Sequence, residues 1–300
     1  DNTAYLPYAT SLRMSDIGYQ NKAQEQLRIS FDNLEDYVAG LIKATETEEP
    51  SFSKIGVKVD ERYNQLNSSI LQIENEFYCP IRPKRISKTE AGPAKALARE
   101  GVEYLEVRSL DVDPFEPTGV GRDQLLFIEG LLIHCLVIDS PPFSDVDRNE
   151  MTQNLRTIIY EGRRPGTVLS KNGKEKTLHE WADEIFSGME NFCPLLDGSC
   201  GSSGYCRGLA RQRERVHHPE LTPSARVLEQ MRKRGHTFFH VAMRQTVDFE
   251  RYFKNRTTST ERMAKIVAVA AASLGEQEEI ERKERGTFDD YLKEYFSSTV

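Results

Sequence analysis

Residues Val102-Glu103-Tyr104-Leu105-Glu106-Val107-Arg108-Ser109-Leu110-Asp111 mix β-branched, aromatic and aliphatic positions with charged ones, without a helical period. That pattern predicts a β-strand. Strand side chains alternate between faces, so Tyr104, Glu106, Arg108 and Leu110 share one face and Glu103, Leu105, Val107 and Ser109 the other. Upstream, residues 31–45 carry a stripe of Leu34, Tyr37, Val38 and Leu41. They predict a helix with Asp32 as N-cap and Glu35 three residues later. A short strand is expected at 53–59 and a longer one at 65–78. In the longer one Ile73 and Phe77 face one way, and Glu74, Glu76 and Tyr78 the other. Residues 93–99 form a short helical piece.

From Gly121 onward the pattern turns helical. Residues 125–138 are strongly apolar and are expected to be buried, with His134 and Cys135 as core residues. A helix over 147–160 leads into a turn at Glu161-Gly162-Arg163-Arg164-Pro165-Gly166. Asn172-Gly173 signals a hairpin. Helix follows at 178–192, then a Gly/Ser-rich loop at 193–206. Thr222 and Pro223 suit the N-cap and first position of another helix. Helical patterns continue to a last short helix at 291–296. The order predicts an α+β chain: a mainly antiparallel sheet over residues 1–120, then a mostly helical region over 121–300.

Composition narrows the function classes. The 300 residues are 38% hydrophobic and 29% charged, with net charge −7. That balance argues against a general nucleic-acid binder, which needs a basic surface. No apolar run approaches the roughly 18 residues of a membrane helix. Five cysteines, an odd number, fit a reducing compartment such as the cytoplasm. The spacings of Cys193, Cys200 and Cys206 lack the paired form of a zinc site. The chain opens at Asp1 without Met and crowds its motifs into the first 120 residues, so further sequence is expected upstream.

Three places carry candidate chemistry. Glu106 and Arg108 project side by side from one strand face. Carboxylate oxygen is a hard Mg²⁺ ligand, and the planar guanidinium matches phosphate oxygens. On the strand alone a solvated face or an intra-strand ion pair is the favoured reading, since charge pairs on half-exposed strands are common. Arg13 sits in an ordered loop with Gly18, which permits backbone conformations that other residues resist. Packing of the Arg13 stem on Tyr5 or Tyr8 is the structural alternative. Arg82, Lys84 and Arg85 follow the acidic 74–78 face directly, which suggests a mixed polar cleft.

Several blocks together resemble the glutamate–cysteine ligases of proteobacteria, and in particular their carboxy-terminal part. They are Arg13-Met14-Ser15-Asp16-Ile17-Gly18-Tyr19, Leu71-Gln72-Ile73-Glu74-Asn75-Glu76 with Tyr78, Pro80-Ile81-Arg82-Pro83-Lys84-Arg85, and Glu103-Tyr104 with Glu106-Val107-Arg108-Ser109-Leu110-Asp111. Glu161-Gly162-Arg163-Arg164-Pro165-Gly166 and Leu221-Thr222 with Ser224-Ala225-Arg226 add to them. The similarity spans the chain and weakens after about residue 166.

The resemblance implies a glutamine-synthetase-like catalytic core and an ATP-dependent ligation of L-glutamate, through a γ-glutamyl phosphate, to L-cysteine. This is the first step of glutathione synthesis. It implies Mg²⁺, or Mn²⁺ in its place, with Glu106 as a metal ligand and Arg108 as a phosphate contact. Arg13 would meet a substrate carboxylate or phosphate, and Tyr19 and Tyr78 would line the cysteine pocket. The family's amino-terminal metal-binding carboxylates have no match here, so the missing amino-terminal half is an expected partner. A regulatory subunit of the same fold, or a ligase for another amino acid, are the alternatives.

Cys193, Cys200 and Cys206 have no neighbouring base and no paired ligand spacing. Replacing all five by Ser or Ala is expected to leave the ligation rate within a few-fold, apart from packing losses at Cys135. Stoichiometric zinc that disappears when the 193–206 loop is mutated would contradict this.

Overall fold

A stripe of Tyr37, Val38, Leu41 and Ala44 organises one of two units in the computed structural model, which describes residues 4–18, 22–24, 27–86, 92–201, 203–284 and 286–297. This unit comprises Asn21–Arg108 and Arg251–Val300; the other comprises Asp1–Gln20 and Ser109–Glu250. The stripe lies on helix α1 (Leu34–Glu46). Asn33, not Asp32, caps the helix: its side-chain oxygen accepts from the Asp36 N–H at 2.8 Å. Asp32 is instead engaged by the Ser30 hydroxyl. α1 packs against Ile29, Leu71, Phe77, Cys79, Ala94 and Leu97, and Leu71 is fully buried. Each such apolar side chain contributes about 1.5–3 kcal/mol when removed from water.

Residues 65–78 do not form the expected strand. Their polar side chains occupy the backbone groups that a ladder would need. The Leu66 N–H donates to Gln72 Oε1 and the Gln72 N–H to Glu76 Oε2, both at 2.7 Å. The Asn67 amide donates to the Gln72 carbonyl at 2.9 Å. A single 3₁₀ turn covers Glu74–Glu76, so Glu74, Glu76 and Tyr78 do not share a strand face. The expected strand at 53–59 is likewise replaced by helix α2 (Pro50–Ser53) and strand β1 (Lys58–Val59), which pairs with β2 (Arg62–Tyr63). Next come β3 (Ile81–Lys84), α3 (Pro93–Glu100) and β4 (Tyr104–Val107).

The other unit is mostly helical: α4 (Arg122–Val137), α5 (Asp145–Glu161), then β5 (Val168–Lys171) and β6 (Lys174–Thr177). Asn172 and Gly173 have φ of 54° and 72°, the backbone of a tight hairpin turn between β5 and β6. Helices α6 (Leu178–Glu190), α7 (Cys193–Cys200), α8 (Gly204–His217) and α9 (Pro223–Arg234) follow. Thr222 caps α9, with Pro223 opening it. The unit's core gathers Phe186, Met189, Cys193, Tyr205 and Leu209.

Two expectations fail in this unit. The 193–206 segment is not a loop: Pro194 opens α7, and the Asp197 carboxylate accepts the Tyr205 and Cys206 N–H groups at 2.9 Å, capping α8. Nor is 125–138 buried throughout. His134 is buried and stacks on Phe192, but Cys135 is exposed and Leu136 is 83% exposed. A helix packed on one side must show its other face, whatever that face carries.

Helix α10 (Phe238–Lys254) contains the division between the units, and α11 (Thr260–Lys283) and α12 (Phe288–Ser297) complete the chain. The described strands form three separate two-stranded antiparallel ladders, β1–β2, β3–β4 and β5–β6, rather than one large sheet. The class is α+β, with its antiparallel pairing in these small ladders. Among the described residues no helix is long and apolar enough to cross a membrane.

Glu74 is only 4% exposed, and neither carboxylate oxygen has a hydrogen-bond partner of good geometry. Burial pushes its carboxyl up, while the Ala94 amide and the Lys95 charge pull it back in part. A raised folded value means a contribution to stability that is present below the ordinary carboxylate range and lost as pH rises through the folded pKa. Glu74→Gln is therefore expected to raise Tm at and above about pH 7, and to change it little below about pH 4, in paired thermal melts. An equal shift at both ends of the range would show that charge burial is not the cause.

Candidate functional site

The β3–β4 ladder sets one register: Ile81 faces Val107, Arg82 faces Glu106, and Lys84 faces Tyr104. Directly opposed side chains on an antiparallel pair come within contact. Arg82 and Glu106 use this to form an ion pair. Arg82 Nη2 and Nε donate to the same oxygen, Glu106 Oε2, at 2.6 and 3.0 Å. The remaining Nη1 donates to the carbonyls of Asn75 and Phe77, at 2.9 and 3.0 Å. The Arg82 side chain is 8% exposed and that of Glu106 37%. A guanidinium so buried is tolerable because three acceptor groups surround it.

Glu106 and Arg108 therefore do not make the intra-strand pair considered from the sequence. Arg82, from the facing strand, supplies the hydrogen bonds to Glu106. Arg108 continues the pairing by one step, its N–H donating to the Pro80 carbonyl at 2.8 Å. Its guanidinium lies 4.9 Å from the centre of the Tyr78 ring. Tyr78 is fixed from behind: its N–H donates to Gln24 Oε1 at 2.9 Å, and the Gln24 amide donates to the Glu76 carbonyl at 2.8 Å.

The hydrogen bonds from Arg82 hold the Glu106 carboxyl below its usual range, with burial opposing and the charges of Arg82, Arg108 and Lys84 adding to the effect. Lys84 is pulled down by burial and by the Arg82 charge. Burial pushes the Cys79 thiol up to about 11, so at neutral pH it is an inert thiol packed in the core.

Arg13 belongs to the other unit. Asp111 fixes its loop: Oδ1 accepts the Leu12 and Arg13 N–H groups at 3.0 and 2.8 Å, and the Ser11 hydroxyl bonds Oδ2. The Ser15 hydroxyl closes on the Leu12 carbonyl at 2.7 Å. A Cβ on Gly18 would lie 2.0 Å from the Arg13 carbonyl oxygen, so close approach rather than an unusual φ demands glycine there. Arg13 is exposed. The rings proposed to pack its stem are taken by others, with Arg164 over Tyr8 at 4.7 Å and Arg232 over Tyr5 at 5.4 Å. Tyr19 lies outside the described residues. The structure thus gathers Tyr78, Glu106 and Arg108 on one ladder and its flank, with Arg13 on a separate braced loop.

Sequence reasoning missed Arg82 and Asp111. In the sequence Arg82 is one of three basic residues of a polar cleft; only the pairing register marks it out. Asp111 was read as the end of a strand.

As a Mg²⁺ site these residues do not suffice. Glu106 is a single carboxylate engaged by an arginine, and among the described residues no group of three or more His, Cys, Asp or Glu side chains is placed to hold a metal. A divalent ion takes several oxygen ligands.

Comparison with known proteins gives a consistent picture. The sequence profile of the glutamate–cysteine ligase family matches residues 1–158. The chain is 43% identical over 300 residues to the glutamate–cysteine ligase of Pseudomonas paraeruginosa, spanning 100% of this chain and 57% of that protein. It is 46% identical over 277 residues to that of Shewanella amazonensis, covering 92% of this chain and 52% of the relative. The fold superposes with TM-score 0.88, at 35% identity, on the crystal structure of glutamate–cysteine ligase from Francisella tularensis in complex with AMP; the match covers 97% of this chain and 57% of that one. The chain therefore spans little more than half the length of these relatives.

The Arg82–Glu106 pair has a pH signature. A lowered folded pKa means that the pair's contribution is present above the ordinary carboxylate range and is lost as pH falls through the folded value. Glu106→Gln is expected to lower Tm near neutral pH, with the gap to the parent closing below about pH 4. A gap of the same size in acid would show that the ion pair is not its source.

Proposed function

Because the chain belongs to the glutamate–cysteine ligase family, we propose that it carries a large part of the active site of an ATP-dependent ligase joining L-glutamate to L-cysteine. The observation that carries this reading is the gathering of Tyr78, Glu106 and Arg108 around one short ladder in a chain of this family. The AMP bound by the Francisella protein supports an adenine nucleotide as the co-substrate.

In the proposed reaction the γ-carboxylate oxygen of glutamate attacks the γ-phosphorus of ATP, and ADP leaves. The amine nitrogen of cysteine then attacks the acyl carbon, forming the amide and releasing phosphate. Catalysis of phosphoryl transfer rests on positioning and on neutralising the charge of the transferred group. Arg108 is assigned that charge, as a planar donor suited to phosphate oxygens. Arg13 is assigned a carboxylate or phosphate of the substrates, on a loop that Asp111 holds in shape. Tyr78 and Tyr19 are assigned to the pocket for cysteine. Glu106 is assigned to the Mg²⁺ that accompanies the nucleotide, or to Mn²⁺ in its place. The further carboxylates such an ion needs are assigned to the part of the family's length that this chain does not span. The five unpaired cysteines suit the reducing cytoplasm in which a thiol substrate persists.

The test is reconstitution. The 300-residue chain alone is expected to release no ADP from ATP, glutamate and cysteine. Adding the remaining family segment in trans should bring cysteine-dependent ADP release and formation of γ-glutamylcysteine. Glu106→Gln in that assembly is expected to cost at least about a hundredfold in turnover while the protein stays folded. ADP release driven by another amine and not by cysteine would overturn the choice of substrate. An ordinary enzymatic rate from the chain alone would overturn the division of the site.

A further inference from the structure

Arg82 touches both arms of the candidate site. Through Nε and Nη2 it holds Glu106 Oε2 on β4. Through Nη1 it holds the carbonyls of Asn75 and Phe77, on either side of Glu76 and directly before Tyr78. Gln24 grips the same turn from its other flank, at Glu76 and Tyr78. Because both bonds to Glu106 go to Oε2, the carboxylate is held end-on and its torsion is fixed. Lysine cannot reproduce this: its single ammonium lacks a fork whose donors diverge at fixed angles.

We propose that Arg82 is a positioning residue for the ligation reaction. It locks the Glu106 carboxylate and the backbone that presents Tyr78 into one fixed relation. The phosphoryl-transfer side and the amine-acceptor side of the site are thereby set by a single guanidinium, with Gln24 completing the clamp on Tyr78. The inference rests on the functional reading above and gives a role to Arg82, for which the resemblance implied none. The two carbonyls belong to a turn and to no strand, so the guanidinium ties that turn to the ladder as well as pairing with Glu106.

The experiment uses an assembly of full family length. The parent is assayed first for γ-glutamylcysteine formation. Arg82→Lys is then compared with Leu71→Ala, a core truncation that weakens the same unit without touching the site. Arg82→Lys is expected to lower kcat by about tenfold or more, and to raise KM for both ATP and cysteine. Leu71→Ala should lower Tm at least as much and leave both constants near the parent's values. Gln24→Ala, at a half-exposed position, should raise KM for cysteine several-fold with kcat nearly unchanged. It keeps the idea testable if Arg82→Lys fails to fold. Parent kinetics in either the Arg82→Lys or the Gln24→Ala enzyme, or the same losses in Leu71→Ala, would overturn the positioning role while leaving the functional reading intact. An inactive parent would overturn that reading and this inference with it.

Discussion

A guanidinium buried among carbonyls is stable only if every donor finds an acceptor, and Arg82 meets that requirement in one way. Its charge must be matched, so Glu106 lies opposite it in the β3–β4 register. Its remaining donors must be met, so the 75–77 backbone curls over it instead of extending. The order of events in the sequence follows from this. A polar turn, a short strand with an arginine at its second position and a returning strand with a glutamate at its third are parts of one electrostatic unit. Removing one partner leaves a buried charge uncompensated, which costs far more than the pair gains in water.

The surroundings support that unit by two means. Below it, α1 packs with Phe77, Cys79 and Leu97 in a dry core. Beside it, side-chain amides stand in for a sheet: Gln24, Asn67 and Gln72 accept or donate where strand neighbours would. In the other unit Asp111 does the same work for the loop of Arg13, taking two backbone N–H groups on one oxygen. Both candidate arginine positions are thus braced by side chains that bond the backbone around them.

What could be read in the chain beforehand was local. The α1 stripe, the Thr222–Pro223 helix start, the Asn172–Gly173 turn and the β4 strand all follow from periodicity or from single-residue backbone preferences, and they stand in the structure. The failures share a cause. The 65–78 segment alternates like a strand, yet Gln72 and Glu76 bond its backbone and remove the need for a partner strand. The 193–206 segment has loop composition, yet Asp197 caps the helix that follows and stabilises two helical turns. Cys135 sits in an apolar run, but which side of α4 meets the core depends on α6 and α8, not on the run itself.

The sequence by itself carried the α+β class and, through contiguous motifs that resemble the family, Tyr19, Tyr78, Glu106, Arg108 and Arg13 as candidate site residues. Only the tertiary structure decided which arginine faces Glu106. Arg82 and Arg108 are equally basic on paper, and Arg108 is the nearer in sequence. The antiparallel register puts Arg82 across from the carboxylate and turns Arg108 onto Tyr78. Register is a property of two strands meeting, and no single stretch of sequence contains it.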